Sequence, residues 1–271
     1  MYPQNLHTHG ILCDGKDDYE STVKHAIELG FTSIGFSEHS QMSYSPTNGL
    51  TPDNTFVYKK TINALKRKYE GVIDVFCGVE FDMYSEDTLD GYDYVIGSVH
   101  YLKQGDEFIA IDRPLDTVKR VIDERFGGDG LKLAKAYYEE IIRLPNCAKK
   151  CDIVGHFDII TKNNELEQFI DESDKTYRAY ALEAVRKLSR YVRIFEINTG
   201  AIARGYRKTP YPAPFILQEI NRLGCDIIIS SDCHDNAKLD FKFNESVKLA
   251  KACGFTKAVI LTKTGFKRIL L

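Results

Sequence analysis

The chain has 271 residues, 43% hydrophobic and 28% charged, which excludes a disordered polymer and describes a globular protein long enough for one barrel-like domain. Its formal net charge of -3 leaves no whole-molecule positive field to gather nucleic acid, so the expected partner is a small molecule and no nucleic acid is expected. Seven Cys without a C-x-x-C pair, a start "MYPQNLHTHG" without basic and apolar signal regions, and no apolar run of membrane-spanning length predict a cytoplasmic protein with reduced thiols and no membrane contact.

The first short strand runs into "NLHTHGILCDGKDD", which holds His7, His9 and Asp14. Through Gly10, Gly15 and Lys16 the same stretch matches all but the last position of the phosphate loop G-x-x-x-x-G-K-[ST]. That loop needs a Ser or Thr after its Lys to hold magnesium. Here Asp17 follows, and Asp14 would set a negative charge where phosphates sit, so these residues read as metal ligands instead.

A helix over residues 21–29, stopped by Gly30, leads to the strand "TSIGFSEH" ending at His39. Residues 40–53 break the rhythm before a helix over 54–69. "IDVFCGVEF" carries Glu80 and "DYVIGSVH" ends at His100; a second long connection, 101–130, then precedes a helix over 131–144. "CDIVGHF" carries His156, a helix over 174–191 follows, and "VRIFEINT" carries Glu196. A helix over 213–223 leads to "DIIISSDCH" with Asp232 and His234, and a helix over 244–253 to the last run, "KAVILT". Each apolar, β-branched run reads as a strand buried on both faces. Alternation of strand and helix throughout predicts a parallel α/β barrel forming a single domain over 1–271, with active-site insertions at about 40–53 and 101–130 acting as lids. Cys77, Cys151 and Cys225, in or beside strands, are expected to be packing residues.

Six of the seven His fall at strand C-terminal ends, and only His25 lies within a helix. In a parallel barrel those ends share one mouth, which would gather His7, His9, His39, His100, His156 and His234 with Asp14, Glu80 and Asp232. Neutral imidazoles with carboxylates bind borderline divalent ions such as Zn, Mn or Fe. The set exceeds the needs of one tetrahedral ion, so two or three are expected, with Glu80 or Asp232 suited to bridge.

"HTH", Asp14, "SEH", "GVE", "GSVH", "GHFD" and "SDCH" occur in an order that resembles the PHP family, named for polymerases and histidinol phosphatases, over residues 7–235. The resemblance implies a distorted (β/α)7 barrel of the PHP type with a trinuclear metal centre. It further implies hydrolysis of L-histidinol phosphate to L-histidinol and phosphate in histidine biosynthesis. By that resemblance His7, His9, Glu80 and Asp232 hold one metal, Glu80, His100 and His156 a second, and Asp14, His39 and His234 a third.

Phosphate monoesters are dianions that resist attack, and a multinuclear site neutralises them while acidifying water. The expected chemistry is in-line attack by a metal-bridging hydroxide, without a covalent protein intermediate. Consistently, neither a C-x5-R loop nor a D-x-D motif is present. Arg204 and Arg207 are the candidate phosphate clamps because guanidinium matches phosphate oxygens, with Ser40 as a further phosphate contact. Asp158, Asp232 and His234 are the candidates for moving a proton, and Glu196 for orienting a metal-bound His from behind. Asp112 or Glu107, in the long insert, are candidates to meet the substrate's amine and imidazole. The alternatives are other phosphoester hydrolases on this scaffold, namely a nucleotide or oligonucleotide phosphatase, an exonuclease or a protein tyrosine phosphatase, and a metal-stabilised binding module. The oligomeric state is not legible.

Overall fold

The computed structural model describes residues 2–147 and 151–271. Its strands are β1 (Gln4–Asn5), β2 (Ser33–Phe36), β3 (Asp74–Asp82), β4 (Tyr94–Ser98), β5 (Tyr101–Gln104), β6 (Glu107–Ala110), β7 (Ile153–Val154), β8 (Ile194–Asn198), β9 (Asp226–Ser230), β10 (Lys257–Thr262) and β11 (Gly265–Leu270). Seven of them form one parallel sheet in the order β1-β2-β3-β4-β7-β8-β9. The sheet curls until its edges meet beyond the strand ends, where Thr8 bridges Cys233 in parallel and His9 N donates to Cys233 O at 2.8 Å. This nearly closed barrel matches the expected distorted (β/α)7 architecture.

The strands are buried along almost their whole length, as a parallel sheet covered on its outside by helices requires. The major covering helices begin at residues suited to their first turns. In α1 (Tyr19–Glu28) Asp18 accepts from Ser21 N, and in α2 (Pro52–Lys68) Thr51 accepts from Asn54 N with Pro52 in the first turn. The chain continues through α3 (Leu115–Phe126), α4 (Gly130–Ile141), the short α5 (Leu144–Cys147), α6 (Lys175–Leu188), α7 (Gly200–Ala203), α8 (Pro214–Arg222) and α9 (Phe243–Ala252). Asp174 caps α6 through Thr176 N and Tyr177 N. Cys77 and Cys225 are buried and Cys151 partly so, and all seven thiols are free. No described helix is long and apolar enough to cross a membrane.

One expected strand departs from the series. "KAVILT" does not extend the parallel sheet; as β10 it pairs antiparallel with β11. The side chain of Gln4 takes the place of a neighbouring strand's backbone, accepting from Leu261 N and donating to Leu261 O at 2.8 Å each. The hairpin is thereby fastened below β1, and parallel pairing ends at β9. The 101–130 insert folds as the hairpin β5–β6 followed by α3, whereas residues 40–51 form an irregular loop leading into α2.

Candidate metal centre

The parallel topology brings the C-terminal ends of the seven strands to one mouth. All nine side chains expected there converge. They form four groups whose donor atoms lie within 4.8 Å of one another, namely His9, Asp14, His39 and His234; His7, Glu80 and His156; His7, His9 and Asp232; His39, Glu80 and His100; a fifth group joins His9 to Cys13 and Glu38. Glu80 stands at the centre. Its Oε2 is 2.8 Å from His39 Nδ1, 3.3 Å from His7 Nε2 and 3.5 Å from His9 Nε2, while its Oε1 is 2.6 Å from His156 Nε2 and 3.3 Å from His100 Nε2. Compared with the expected allocation, His39 also faces Glu80 and His100, and His9 reaches toward Asp14 as well as Asp232.

These residues fit divalent ions. His7 Nε2 and both ring nitrogens of His9 are buried without a hydrogen-bond partner among the described residues. Leaving such atoms unpaired costs about 1–3 kcal/mol each. The donor separations of 3.3–3.8 Å among His7, His9, Glu80 and Asp232 bracket the edge, about 3.4 Å, of a tetrahedron with ~2.1 Å metal–ligand bonds.

Behind the donors stands a set of buried carboxylates. Glu196, expected in this role, accepts from His156 N at 2.8 Å and meets His7 Nδ1 at 2.7 Å. Two more were not singled out from the sequence. Asp82 accepts from His100 N at 3.0 Å and lies 3.3 Å from His100 Nδ1. Glu38 accepts from Gly10 N at 2.8 Å and from Tyr19 Oη, with its other oxygen 3.7 Å from His9 Nδ1. The signal for Glu38 was its place inside "SEH", immediately before His39.

The two glycines that mimic a phosphate loop have steric roles here. A Cβ on Gly10 would meet the Tyr19 ring at 2.4 Å, and one on Gly15 would meet His9 O at 2.3 Å. Close packing of this loop places Asp14 Oδ2 3.2 Å from His234 Nε2 and 3.6 Å from His39 Nε2. Asp232 has a φ of +50°, a left-handed conformation that Asp tolerates better than most residues.

The electrostatics follow from packing imidazoles against carboxylates. Burial opposes a charge on Glu80, yet His39, His7 and His100 hold its carboxyl well below the usual range. Burial likewise opposes charge on His100, but Glu80 and Asp82 raise it to about 10. His9 goes the other way, lowered to about 3 by burial and by the neighbouring His234 and His39. Burial pushes the Glu38 carboxyl up to about 8.

The centre opens into a cavity of about 280 Å³, lined besides the donors by Asp112, Arg113, Lys162, Arg204, Tyr206 and Tyr211. Arg204 is half-exposed to it and donates to Asp232 Oδ2 at 2.8 Å, with its other amine 3.1 Å from His234 Nδ1. A larger cleft of about 450 Å³ lies at the far end of the barrel, where Lys66 pairs with Asp93 and Lys263 with Asp74; among the described residues it holds no comparable donor cluster.

Four expected site residues lie elsewhere; Glu107 is exposed and paired with Arg125 at 2.7 Å, outside the cavity. Arg207 is buried away from the cavity, donating to Thr161 O at 3.1 Å and Thr209 Oγ1 at 3.2 Å beside Glu165 and Glu172. Gly205, with φ +79°, turns the chain between the two arginines and sends them in different directions. Ser40 is wholly buried; its hydroxyl accepts from Asp82 N at 3.1 Å and ties the end of β2 to β3 rather than facing substrate. Asp158, also buried, accepts from Ala213 N at 2.9 Å and does not line the mouth; burial, only partly offset by Arg207, raises its carboxyl to about 6.

Known proteins are similar to this chain in sequence and fold. The chain is 24% identical to the "Probable histidinol-phosphatase" of Schizosaccharomyces pombe, over 96% of this chain and 90% of that protein. It is also 24% identical to the histidinol-phosphatase of Bacillus subtilis, over 90% of this chain and 97% of that one. A crystal structure of histidinol phosphate phosphatase from Lactococcus lactis, complexed with zinc, L-histidinol and phosphate, superposes with a TM-score of 0.71 at 19% identity, covering 98% of each chain. The model of the PHP domain matches residues 5–200, from β1 to the start of α7, a span that holds seven of the nine clustered donors; the chain belongs to the PHP domain family.

Proposed function

We propose that the protein is a metal-dependent phosphomonoesterase that hydrolyses L-histidinol phosphate to L-histidinol and phosphate. The observation that carries this reading is the convergence of His7, His9, Asp14, His39, His100, His156, Asp232 and His234 around the buried carboxylate of Glu80, with Arg204 at the rim of the same cavity. Relatives named histidinol-phosphatase, aligned over nearly their full length, support the substrate. The Lactococcus lactis complex with zinc, L-histidinol and phosphate supports both a zinc-type ion and a small-molecule ligand.

Two or three divalent ions held by those nine residues would supply charge neutralisation for the phosphate dianion and a water acidic enough to attack at neutral pH. Glu80, with both oxygens directed at imidazoles, would be a ligand common to neighbouring donor groups, and Glu196 holds His7 through Nδ1 so that Nε2 faces the centre. Arg204 is held by Asp232 with part of its guanidinium free to meet a phosphate oxygen, and Lys162 and Arg113 add positive charge on the same wall. His234 Nε2 and Asp14 Oδ2, 3.2 Å apart on the open side with Asp232 next to them, would hold a proton only with two ions bound, since a third ion in their donor group would take both atoms as ligands. Seven unpaired thiols suit a cytoplasmic setting.

The test is phosphate release by the zinc- or manganese-loaded protein from L-histidinol phosphate, p-nitrophenyl phosphate, a nucleoside monophosphate and a short oligonucleotide. The reading requires the highest kcat/KM on L-histidinol phosphate. Preferential cleavage of nucleotide or oligonucleotide would leave the metal centre standing and remove the histidine-pathway role.

A further inference from the structure

His9 offers its two ring nitrogens to different partners. Nε2 lies 3.5 Å from both Glu80 Oε2 and Asp232 Oδ1, inside the centre, whereas Nδ1 turns to the first loop and its neighbour, 3.6 Å from Asp14 Oδ1 and 3.7 Å from Glu38 Oε2. The ring packs against His234 and His39, with centroids 4.2 and 4.6 Å away, which holds these two directions apart. On the Nδ1 side Cys13 Sγ joins Glu38, the three donor atoms lying within 4.8 Å of one another. Among the described residues Cys13 alone of the seven thiols belongs to such a group. Glu38 is fully buried, and its Oε2, like His9 Nδ1, has no hydrogen-bond partner among the described residues; 3.7 Å is too long for a bond between the two. The other Glu38 oxygen is engaged by Gly10 N and Tyr19 Oη, which hold the carboxylate in this orientation.

A thiol, an imidazole nitrogen and a carboxylate make a softer donor set than the histidines and carboxylates of the centre, and thiolate ligands select thiophilic ions. Two of the three donor atoms are buried with their bonding capacity unmet, a cost that a bound cation offsets. We infer that His9 Nδ1, Cys13 Sγ and Glu38 Oε2 form a separate, inhibitory site for a thiophilic divalent ion, and that filling it switches the catalytic centre off. The antagonism follows from the chemistry of imidazole, whose neutral form has one N–H and one nitrogen free to donate electrons. With Nε2 a ligand of the centre, Nδ1 carries the proton. When the thiophilic ion is captured, the Cys13 thiol releases its proton to solvent and sulfur–metal and Nδ1–metal bonds form. The ring proton passes to Nε2, and the bond from Nε2 to the centre breaks; no electron is transferred. The inference goes beyond the hydrolytic reading and rests only on His9 being a ligand of the centre, whichever ester is cleaved there.

Titration of the zinc-loaded protein with Cd2+ tests the site without relying on turnover. The readouts are the ultraviolet charge-transfer band of a thiolate bound to cadmium and the zinc left on the protein after gel filtration. In wild type the band is expected to saturate at a single equivalent of Cd2+, with one zinc lost as it grows. Cys13→Ser should show no band and should need at least about tenfold more Cd2+ to lose that zinc, the equivalent of ~1.4 kcal/mol in ion affinity. Glu38→Gln keeps every thiol and should form the band only at higher Cd2+, which gives the same comparison if Cys13→Ser does not fold. Cys147→Ser, which removes an exposed thiol outside any donor group, should titrate as wild type. The proposal is overturned if wild type gives no band, if Cys13→Ser retains it, if Glu38→Gln leaves the titration unchanged, if Cys147→Ser abolishes the band, or if the band saturates with all zinc in place. Turnover of L-histidinol phosphate, followed along the titration, should fall in step with the band, and activity that survives its saturation overturns the switch. A protein that cleaves no L-histidinol phosphate before Cd2+ is added, yet shows the band and the loss of zinc, keeps the site and loses the named substrate.

Discussion

Glu196 Oε1 stands 2.7 Å from His7 Nδ1, with both side chains fully buried, and this contact decides which nitrogen of His7 faces the centre. The same carboxylate accepts from His156 N at 2.8 Å and Asn198 Nδ2 at 2.9 Å, and also from the hydroxyl of Ser230, so one residue on β8 fixes donors from two other strand ends. Glu196→Gln preserves the shape but removes the charge that keeps a proton on Nδ1. Metal affinity is expected to fall about 10–100-fold, as for other partners of metal-bound histidines. Competition with a chromogenic chelator measures it, and an unchanged dissociation constant would show that Glu196 is not a support for the centre.

The cluster also predicts opposite pH slopes for the metal-free and metal-loaded protein. In the metal-free form His100 is raised to about 10 because Glu80 and Asp82 outweigh the effect of burial. A histidine raised in the folded state stabilises in full below its unfolded value of about 6.5, and that contribution is lost as pH rises through about 10. Thermal stability of the chelator-treated protein should therefore decline from pH 6.5 to 9. Metal binding must displace the same protons, so metal affinity, and with it the stability of the loaded form, should rise over that range. Parallel slopes in melting experiments with and without zinc would contradict the assignment of these imidazoles as ligands.

The two arginines should separate cleanly. Arg204→Ala removes a cation from the cavity wall and is expected to lower kcat/KM for phosphate esters by roughly 10–100-fold, the equivalent of a hydrogen bond to a charged group, with the fold retained. Arg207→Ala leaves buried Asp158, together with Glu165 and Glu172, short of a compensating charge. It should destabilise the protein by about 3–5 kcal/mol while affecting phosphate binding little in the fraction that stays folded. Denaturant melts and steady-state kinetics on both variants distinguish the roles, and a selective KM defect in Arg207→Ala would reverse them.

The contrast shows what the sequence made legible. A ligand at the end of each buried apolar run could be projected onto a shared mouth, because parallel strands all point their C-terminal ends the same way. His7, His39, His100 and His234, scattered over more than two hundred residues, were found by that rule alone. Ser40 was chosen for its place beside His39 and Arg207 for a guanidinium on the loop after the sixth strand, and position along the chain is a poor guide where alternate residues face opposite sides or a glycine turns the chain. The supporting carboxylates Glu38 and Asp82 escaped notice because their role depends on a partner from another strand end. The antiparallel β10–β11 hairpin was hidden because "KAVILT" has the same composition as a barrel strand, and only the Gln4 side chain below β1 distinguishes its place.

Gly15 gives a last test, of the first loop. Its φ is not in the left-handed region, so alanine is permitted by the backbone and the obstacle is space alone: the added Cβ would lie 2.3 Å from His9 O and 2.6 Å from Gly10 N. Backbone atoms cannot swing aside as a flexible side chain does, so the loop must shift. Asp14, the adjoining residue, would then be displaced from His9, His39 and His234, whose nearest nitrogens lie 3.2–3.6 Å from its oxygens. Gly15→Ala should therefore lose the ion nearest the open side first, seen as a lower metal content after dialysis and a reduced kcat, while the deeper donors around Glu80 retain theirs. Overpacking of this kind costs about 1–3 kcal/mol, small enough for the barrel to remain folded. If the variant keeps its full metal complement and activity, the tight turn is not what positions Asp14, and the loop's hydrogen bond from Lys16 N to His234 O at 2.9 Å becomes the element to break next.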